Sequence, residues 1–239
     1  MAFDKDAHTD HISQQFNEEL ETIKSHLMTM GGVAETQLNQ ALDALIEGES
    51  GLAQRALKAD DQINDWEVAI EEQCTRIIAR RQPAASDLRM IVAISRAVSD
   101  LELIGDESAG IAKHAMALLE EDSSQRAFNE IRQIGDLVRE MVSQTLTAFA
   151  RYDINMAYKV AKKEKDVDEA YQTAMRSLVT YMMEDPRSIS RVLNVIWVLR
   201  SLERIGDLTR NISHHLIYLV KGVNVSHSSL KEIKKAVKG

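Results

Sequence analysis

The chain has 239 residues, of which 44% are apolar but only 5% aromatic, and its formal net charge is -8. That length allows one large domain or two of about 100 residues, each able to bury a core. The charge argues against nonspecific binding to nucleic acid or to an anionic membrane. Ala, Leu and Ile dominate the apolar set, and only Pro83 and Pro186 interrupt it, so long helices are expected in place of sheet. Cys74 is the one cysteine, which rules out an internal disulfide and fits a reducing compartment. The start, Met1 to Asp10, is charged and lacks the apolar region of a secretory signal. Apolar stretches such as Val195 to Leu199 fall far short of the ~20 residues a spanning helix needs. The expected setting is cytoplasmic.

In chain order, helical periodicity predicts a first helix over 10–47 that stops near Gly48, and a second from Ser50 to Pro83. A third runs from Ser86, a plausible N-cap, to Leu119. The polar segment Glu120 to Gln125 reads as a linker. Three more helices follow over 126–150, 153–184 and 187–220. Beyond them, five lysines (Lys221, Lys231, Lys234, Lys235, Lys238) against Glu232 give residues 221–239 a net charge of +4, read as a basic, solvated C-terminal tail.

The two halves repeat. A shift of 101 places Leu101, Glu102, Ile104, Gly105, Asp106, Ile111, His114 and Leu118 on Leu202, Glu203, Ile205, Gly206, Asp207, Ile212, His215 and Leu219. A shift of 104 matches Gly31 with Gly135, Gln40 with Gln144, Leu42 with Leu146 and Ala44 with Ala148. The fold class is therefore all-α: two tandem three-helix bundles related by an internal repeat, over 8–121 and 126–220. Buried seams are expected along Ile91, Ile94, Val98, Leu101 and Gly105, and along Val192, Val195, Leu199, Leu202 and Gly206.

Beside each seam lies an acid pair at i, i+4: Glu102 with Asp106, and Glu203 with Asp207. Like charges at this spacing repel by ~0.2–0.5 kcal/mol. A glycine between them, Gly105 or Gly206, costs a further ~1 kcal/mol in a helix. A cation among the acids would remove the repulsion, and glycine would let a neighbouring backbone or ligand approach. Second pairs, Asp61 with Asp65 and Glu164 with Asp168, correspond at a shift of 103 and can face the first in an antiparallel hairpin. Each half would then offer four carboxylates to one site. All-oxygen ligation suits Fe(III), Mn(II), Mg(II) or Ca(II) and disfavours a structural zinc site. The Glu-x-x-His motif of four-helix di-iron enzymes is missing, because Gly105 and Gly206 stand three residues after Glu102 and Glu203.

The other candidates have plainer readings. His114 and His215 lie two turns, about 11 Å, beyond Asp106 and Asp207, too far to share a metal, and suit packing or helix-end charge. His214 and His215 are adjacent and diverge on the helix. Cys74 fits a small buried position, and Trp66 and Trp197 fit core or interface anchors. No Gly-rich phosphate loop, GxSxG elbow or CxxC pair occurs.

The repeated L-E-x-I-G-D helix within two three-helix halves resembles the PhoU family of bacterial phosphate-transport regulators. The likeness runs over residues 10–220 and is tightest at Ser201 to Ser213. It implies a negative regulator of the phosphate-starvation (Pho) response and of phosphate uptake. Such a protein is not an enzyme. It joins the ATPase subunit of the high-affinity phosphate ABC transporter to a sensor histidine kinase, commonly as a homodimer, at the inner face of the membrane through its partners. The resemblance also implies multinuclear metal clusters, of iron(III) for example, on Asp61, Asp65, Glu102 and Asp106 and on Glu164, Asp168, Glu203 and Asp207, with Mn, Mg, Zn or Ca open as alternatives. The first half departs from the pattern. Leu103 stands where the second half has Arg204, and Glu107 stands where it has Leu208, which should alter the field around the first site. Two further readings compete: a carboxylate-bridged metal-dependent phosphatase or oxidase, and a metal-free helical scaffold.

Overall fold

The computed structural model describes residues 5–120 and 128–238. Seven α-helices and no strand occur among them: α1 Lys5–Glu47, α2 Ser50–Arg81, α3 Ala85–Glu120, α4 Phe128–Arg151, α5 Ile154–Glu184, α6 Ile189–Lys221 and α7 Leu230–Lys238. Punctuation follows local chemistry. Gly48 (φ 77°) ends α1 and Gly222 (φ 70°) ends α6 in the left-handed region, and Gln82 (φ 46°) does the same for α2 just before Pro83. The Asp153 side chain caps α5, accepting from the Asn155 and Met156 N–H groups at 3.0 Å. Two boundaries differ from expectation. Ser86 lies inside α3, which already starts at Ala85, and a 3-10 turn over Pro186–Ser188 precedes α6. The expected linker lies outside the described residues, apart from Glu120 at the end of α3.

Within each half the three helices pack against one another, α1–α3 in the first and α4–α6 in the second. Both predicted seams are buried throughout, from Ile91 to Gly105 in α3 and from Val192 to Gly206 in α6. The halves then join in two antiparallel contacts, α3 on α6 and α1 on α4. In the first, His114 near the end of α3 bonds the Asn194 side chain near the start of α6 at 3.0 Å, and its ring stacks on Trp197. His215, late in α6, bonds Asp100 of α3 at 2.9 Å, with both side chains 13% exposed. The two histidines that correspond in sequence are thus the bolts between repeats.

The α1–α4 contact uses the matched glycines. A Cβ on Gly31 would overlap the Leu146 methyls, and one on Gly135 would meet the Leu42 methyls at 3.2 and 3.3 Å. Each repeat inserts its leucine over the other's glycine. Arg139 of α4 adds an ion pair to Asp43 and donates to the Asn39 carbonyl at 3.0 Å.

The basic C-terminal segment is not a free tail from Leu230 onward. Ser229 and Glu232 form a capping box, the Ser229 N–H and hydroxyl both meeting Glu232 Oε2 at 2.8 Å. The helix so started, α7, docks on α5 through buried Ile233 and Val237 and turns Lys231, Lys234, Lys235 and Lys238 outward. Hydrophobic spacing inside the charge run decides this: Leu230, Ile233 and Val237 share one face.

Gly31 and Gly32 are adjacent helical glycines in unlike surroundings, since nothing lies within 4 Å of a Cβ on Gly32. Gly32→Ala should stabilise the protein by about 0.5–1 kcal/mol. Gly31→Ala should destabilise it by about 1 kcal/mol net, because overpacking against Leu146 costs about 1–3 kcal/mol. Urea denaturation of both variants checks the opposite signs.

Candidate functional site

The acid clusters arise where α2 meets α3 and where α5 meets α6. On the two central helices the acids flank a buried glycine, and the facing helix presses an aliphatic side chain onto that glycine. A Cβ on Gly105 would meet the Ile63 side chain at 2.9 Å; one on Gly206 would meet Val167 at 3.4 Å. The glycines therefore admit a neighbouring side chain, with the tighter fit in the first half.

The second cluster gathers the four acids expected of it. Burial pushes the Glu203 carboxyl above the ordinary range, the charges of Arg200 and Arg204 oppose the shift, and those of Asp207 and Asp168 add to it. Burial likewise raises Glu164, against the pull of Arg210 and with Asp168 and Asp207 reinforcing it. The guanidinium of Arg210 bridges the helices, 2.7 Å from Glu164 and 3.0 Å from Asp207. Arg200 pairs with Glu203 at 3.1 Å.

The first cluster assembles differently. Glu102 and Asp106 are in place, but the acids of α2 that act on them are Asp60 and Glu67. Asp61 and Asp65 are exposed, outside this group. The structural correspondence of α2 with α5 is 104 residues: Ile63 and Val167 occupy equivalent places against Gly105 and Gly206. The shift of 103 used to pair Asp61 and Asp65 with Glu164 and Asp168 is one residue short, and one residue turns a helix by about 100°. Asp60 and Asn64 stand at the positions of Glu164 and Asp168. The legible signal was the apolar spacing of α2, since Ala53, Ala56, Ile63, Ile70 and Cys74 match Ala157, Val160, Val167, Ala174 and Leu178 at 104.

Every influence on Glu102 has one sign. Burial comes first, then the charges of Asp106, Glu67 and Asp60, and all push its carboxyl upward. Glu67 is raised by burial and by Glu71 and Asp106. No ion pair joins Asp60, Glu67, Glu102 or Asp106 to a basic side chain among the described residues. Gln37, fully buried on α1, donates through Nε2 to the Ala56 carbonyl at 3.1 Å and to Asp60 at 3.3 Å. Its Oε1 has no partner and lies 3.3 Å from where a Gly105 Cβ would be.

The departures of the first half also find an explanation. Arg204 reaches across the repeat interface to Glu107 at 3.0 Å, so the extra acid and the asymmetric arginine neutralise each other.

A family model described as PhoU domain matches residues 27–115 and again 131–216. A phosphate-specific transport system accessory protein PhoU homolog from Pseudomonas putida is 59% identical over 235 residues, spanning 98% of this chain and 92% of that protein. The crystal structure of PhoU from Pseudomonas aeruginosa superposes with a TM-score of 0.85 at 58% identity, covering 87% of this chain and 100% of that one. The chain belongs to the PhoU family. A second crystal structure, of the phosphate transport system regulatory protein PhoU from Streptococcus pneumoniae, gives a TM-score of 0.81 at 30% identity, over 88% of this chain and 99% of that one. PhoU proteins are accessory and regulatory, a non-enzymatic family.

The metal expected from the PhoU resemblance can be tested against these two clusters. In neither do three carboxylate, imidazole or thiol side chains converge as a set that could hold an ion, among the described residues. In the second cluster a guanidinium already stands between the carboxylates of the two helices, so these residues do not fit a metal ion while Arg210 keeps its place. In the first the donors are of the type a hard cation takes, anionic oxygens without a basic partner among the described residues and beside an unpartnered amide oxygen, but they do not converge on one point.

Cys74 is buried, and burial lifts its thiol to about 11. His214 is 5% exposed with neither ring nitrogen partnered; burial, then Arg210 and His215, lower its pKa from 6.5 to about 4.

Two predictions follow from these charges. Glu102→Gln should stabilise the metal-free protein at pH 7 by about 0.2–0.5 kcal/mol or more, since it removes like-charge repulsion. Its native carboxyl titrates above the unfolded one, so the gain fades as pH falls through the carboxylate range. Thermal unfolding at pH 7 and pH 4 checks both. His214 takes up its proton more readily when unfolded, so stability is full above pH 6.5 and falls towards pH 4. On the order of 3 kcal/mol is lost across that window, and His214→Leu should flatten this part of the pH–stability curve in urea titrations.

Proposed function

We propose that this protein is a negative regulator of phosphate uptake and of the phosphate-starvation response, working as an adaptor between the ATPase subunit of a phosphate ABC transporter and a sensor histidine kinase. One observation carries the reading: likeness along 98% of the chain, at 59% identity, to a phosphate-specific transport system accessory protein. It acts as a homodimer in the cytoplasm and meets the membrane through its partners. Two features support this. No helix among the described residues is long and apolar enough to cross a membrane. Along α6, Ile189, Leu193 and Trp197 recur every fourth residue and are 44%, 47% and 55% exposed, the kind of apolar stripe that protein partners cover.

A hard cation, iron(III) or a divalent ion such as Mn(II), belongs to this reading at the first acid cluster. Asp60, Glu67, Glu102 and Asp106, which do not converge as they stand, would turn towards one another to hold it, and when bound it supplies positive charge rather than reaction chemistry. Those four residues bring anionic oxygens from α2 and α3, so filling the site would tie the two helices together.

Affinity-tagged protein should capture the transporter ATPase subunit and the sensor kinase from cells grown in ample phosphate. Deleting the gene should derepress phosphate-starvation genes under the same conditions. Unchanged regulation in the deletion strain, with neither partner captured, would overturn the proposal.

A further inference from the structure

The two acid clusters correspond residue for residue along their central helices, yet their charges are met in different ways. In the second half Arg210 sits one turn beyond Asp207 on α6 and reaches back between α6 and α5. Its fork takes one carboxylate from each helix, an arrangement that the planar guanidinium suits and a lysine would not reproduce. Shifting by 101 places Ala109 at the equivalent position of α3, and Ala109 is 4% exposed. The partner helices differ too. Buried Gln37 of α1 leaves an amide oxygen unpartnered beside the first cluster, whereas buried Met141 of α4, its counterpart at a shift of 104, has only a thioether to offer the second.

We infer that Arg210 is the built-in cation of the second cluster, doing there what a metal ion would do and keeping metal out. The inference rests on reading the clusters as cation sites, and it separates residues that the family pattern treats as equivalent. Three observations converge on it: the bridging geometry at 2.7 and 3.0 Å, the part-buried position of the guanidinium with 31% of the side chain exposed, and the lack of any ion pair to Asp60, Glu67, Glu102 or Asp106 among the described residues. A guanidinium stays protonated at any pH the fold survives, so proton loss does not free the site. A metal ion would have to displace it.

Arg210 is a positioning residue, and its removal should open a second site. With Mn(II) alone as the probe, the full chain, stripped of metal and dialysed against the ion, would be assayed for bound metal by elemental analysis. Whatever metal the wild type binds, Glu203→Gln should leave it unchanged. Arg210→Met should take up a further Mn(II) equivalent that Glu203→Gln then removes. Arg210→Lys, which keeps a positive charge, should not gain it. Thermal unfolding gives the second readout: Mn(II) should raise the Tm of Arg210→Met by more than that of the wild type. Arg210→Gln serves as a smaller, polar replacement if Arg210→Met does not fold. Wild-type metal that is lost on Asp207→Asn but kept on Glu102→Gln would overturn the inference. So would arginine variants that fold yet gain no metal, whatever the wild type binds. A wild type that binds nothing, with Arg210→Met gaining metal, would support the role of Arg210 and refute the first-cluster reading above.

Discussion

Each of the helices α3 and α6 is packed against three main neighbours: α1, α2 and the other central helix for α3, and α4, α5 and the other central helix for α6, which α7 also touches. A helix so enclosed must be apolar over most of its circumference, and polar side chains find room only in the narrow grooves beside a flanking helix. In both repeats the acid pairs occupy such a groove. Their neighbours there are the carboxylates of α2 or α5, at a depth where solvent screens them only in part. Burial is the largest single influence on Glu102, Glu164 and Glu203, and charge repulsion is added to it. The clusters lie in the grooves that packed neighbours leave along each central helix.

Burial of like charges has to be offset, and the two repeats do it differently. The second carries arginines within reach: Arg210 across the helix pair and Arg200 one turn before Glu203. The acid cluster of the first has no basic partner among the described residues and leaves Glu102 and Glu67 disfavoured as anions. Duplication therefore preserved the shape of the site and changed its electrostatics. The contrast extends to the repeat interface, where Glu107 of one half and Arg204 of the other form a pair that neither repeat could make alone.

The same pairing logic organises the apolar contacts. His114 and His215 are equivalent in sequence, yet one bonds an asparagine and stacks on Trp197, while the other bonds Asp100. Gly31 and Gly135 each receive the leucine of the opposite repeat. Antiparallel docking of two similar bundles makes such crosswise contacts possible, because equivalent residues lie at opposite ends of the shared interface. What looked like isolated histidines and glycines in each half are parts of the joint between them.

The sequence alone was sufficient for the helical class, the six-helix repeat, the two buried seams and the acid pairs of α3 and α6. All of these are written in short-range spacing, three or four residues at a time, which a helix converts directly into a shared face. The second cluster, Glu164, Asp168, Glu203 and Asp207, was legible for the same reason. The acids that α2 contributes were not: Asp60 and Asp61 are adjacent, and which one turns inward depends on how Ile63 seats against Gly105, a contact between helices. The role of Arg210 was equally hidden, since its partner on α5 lies 46 positions away and only folding brings a guanidinium between two carboxylates. Local spacing fixes what each helix can present; packing between helices chooses which of those side chains meet.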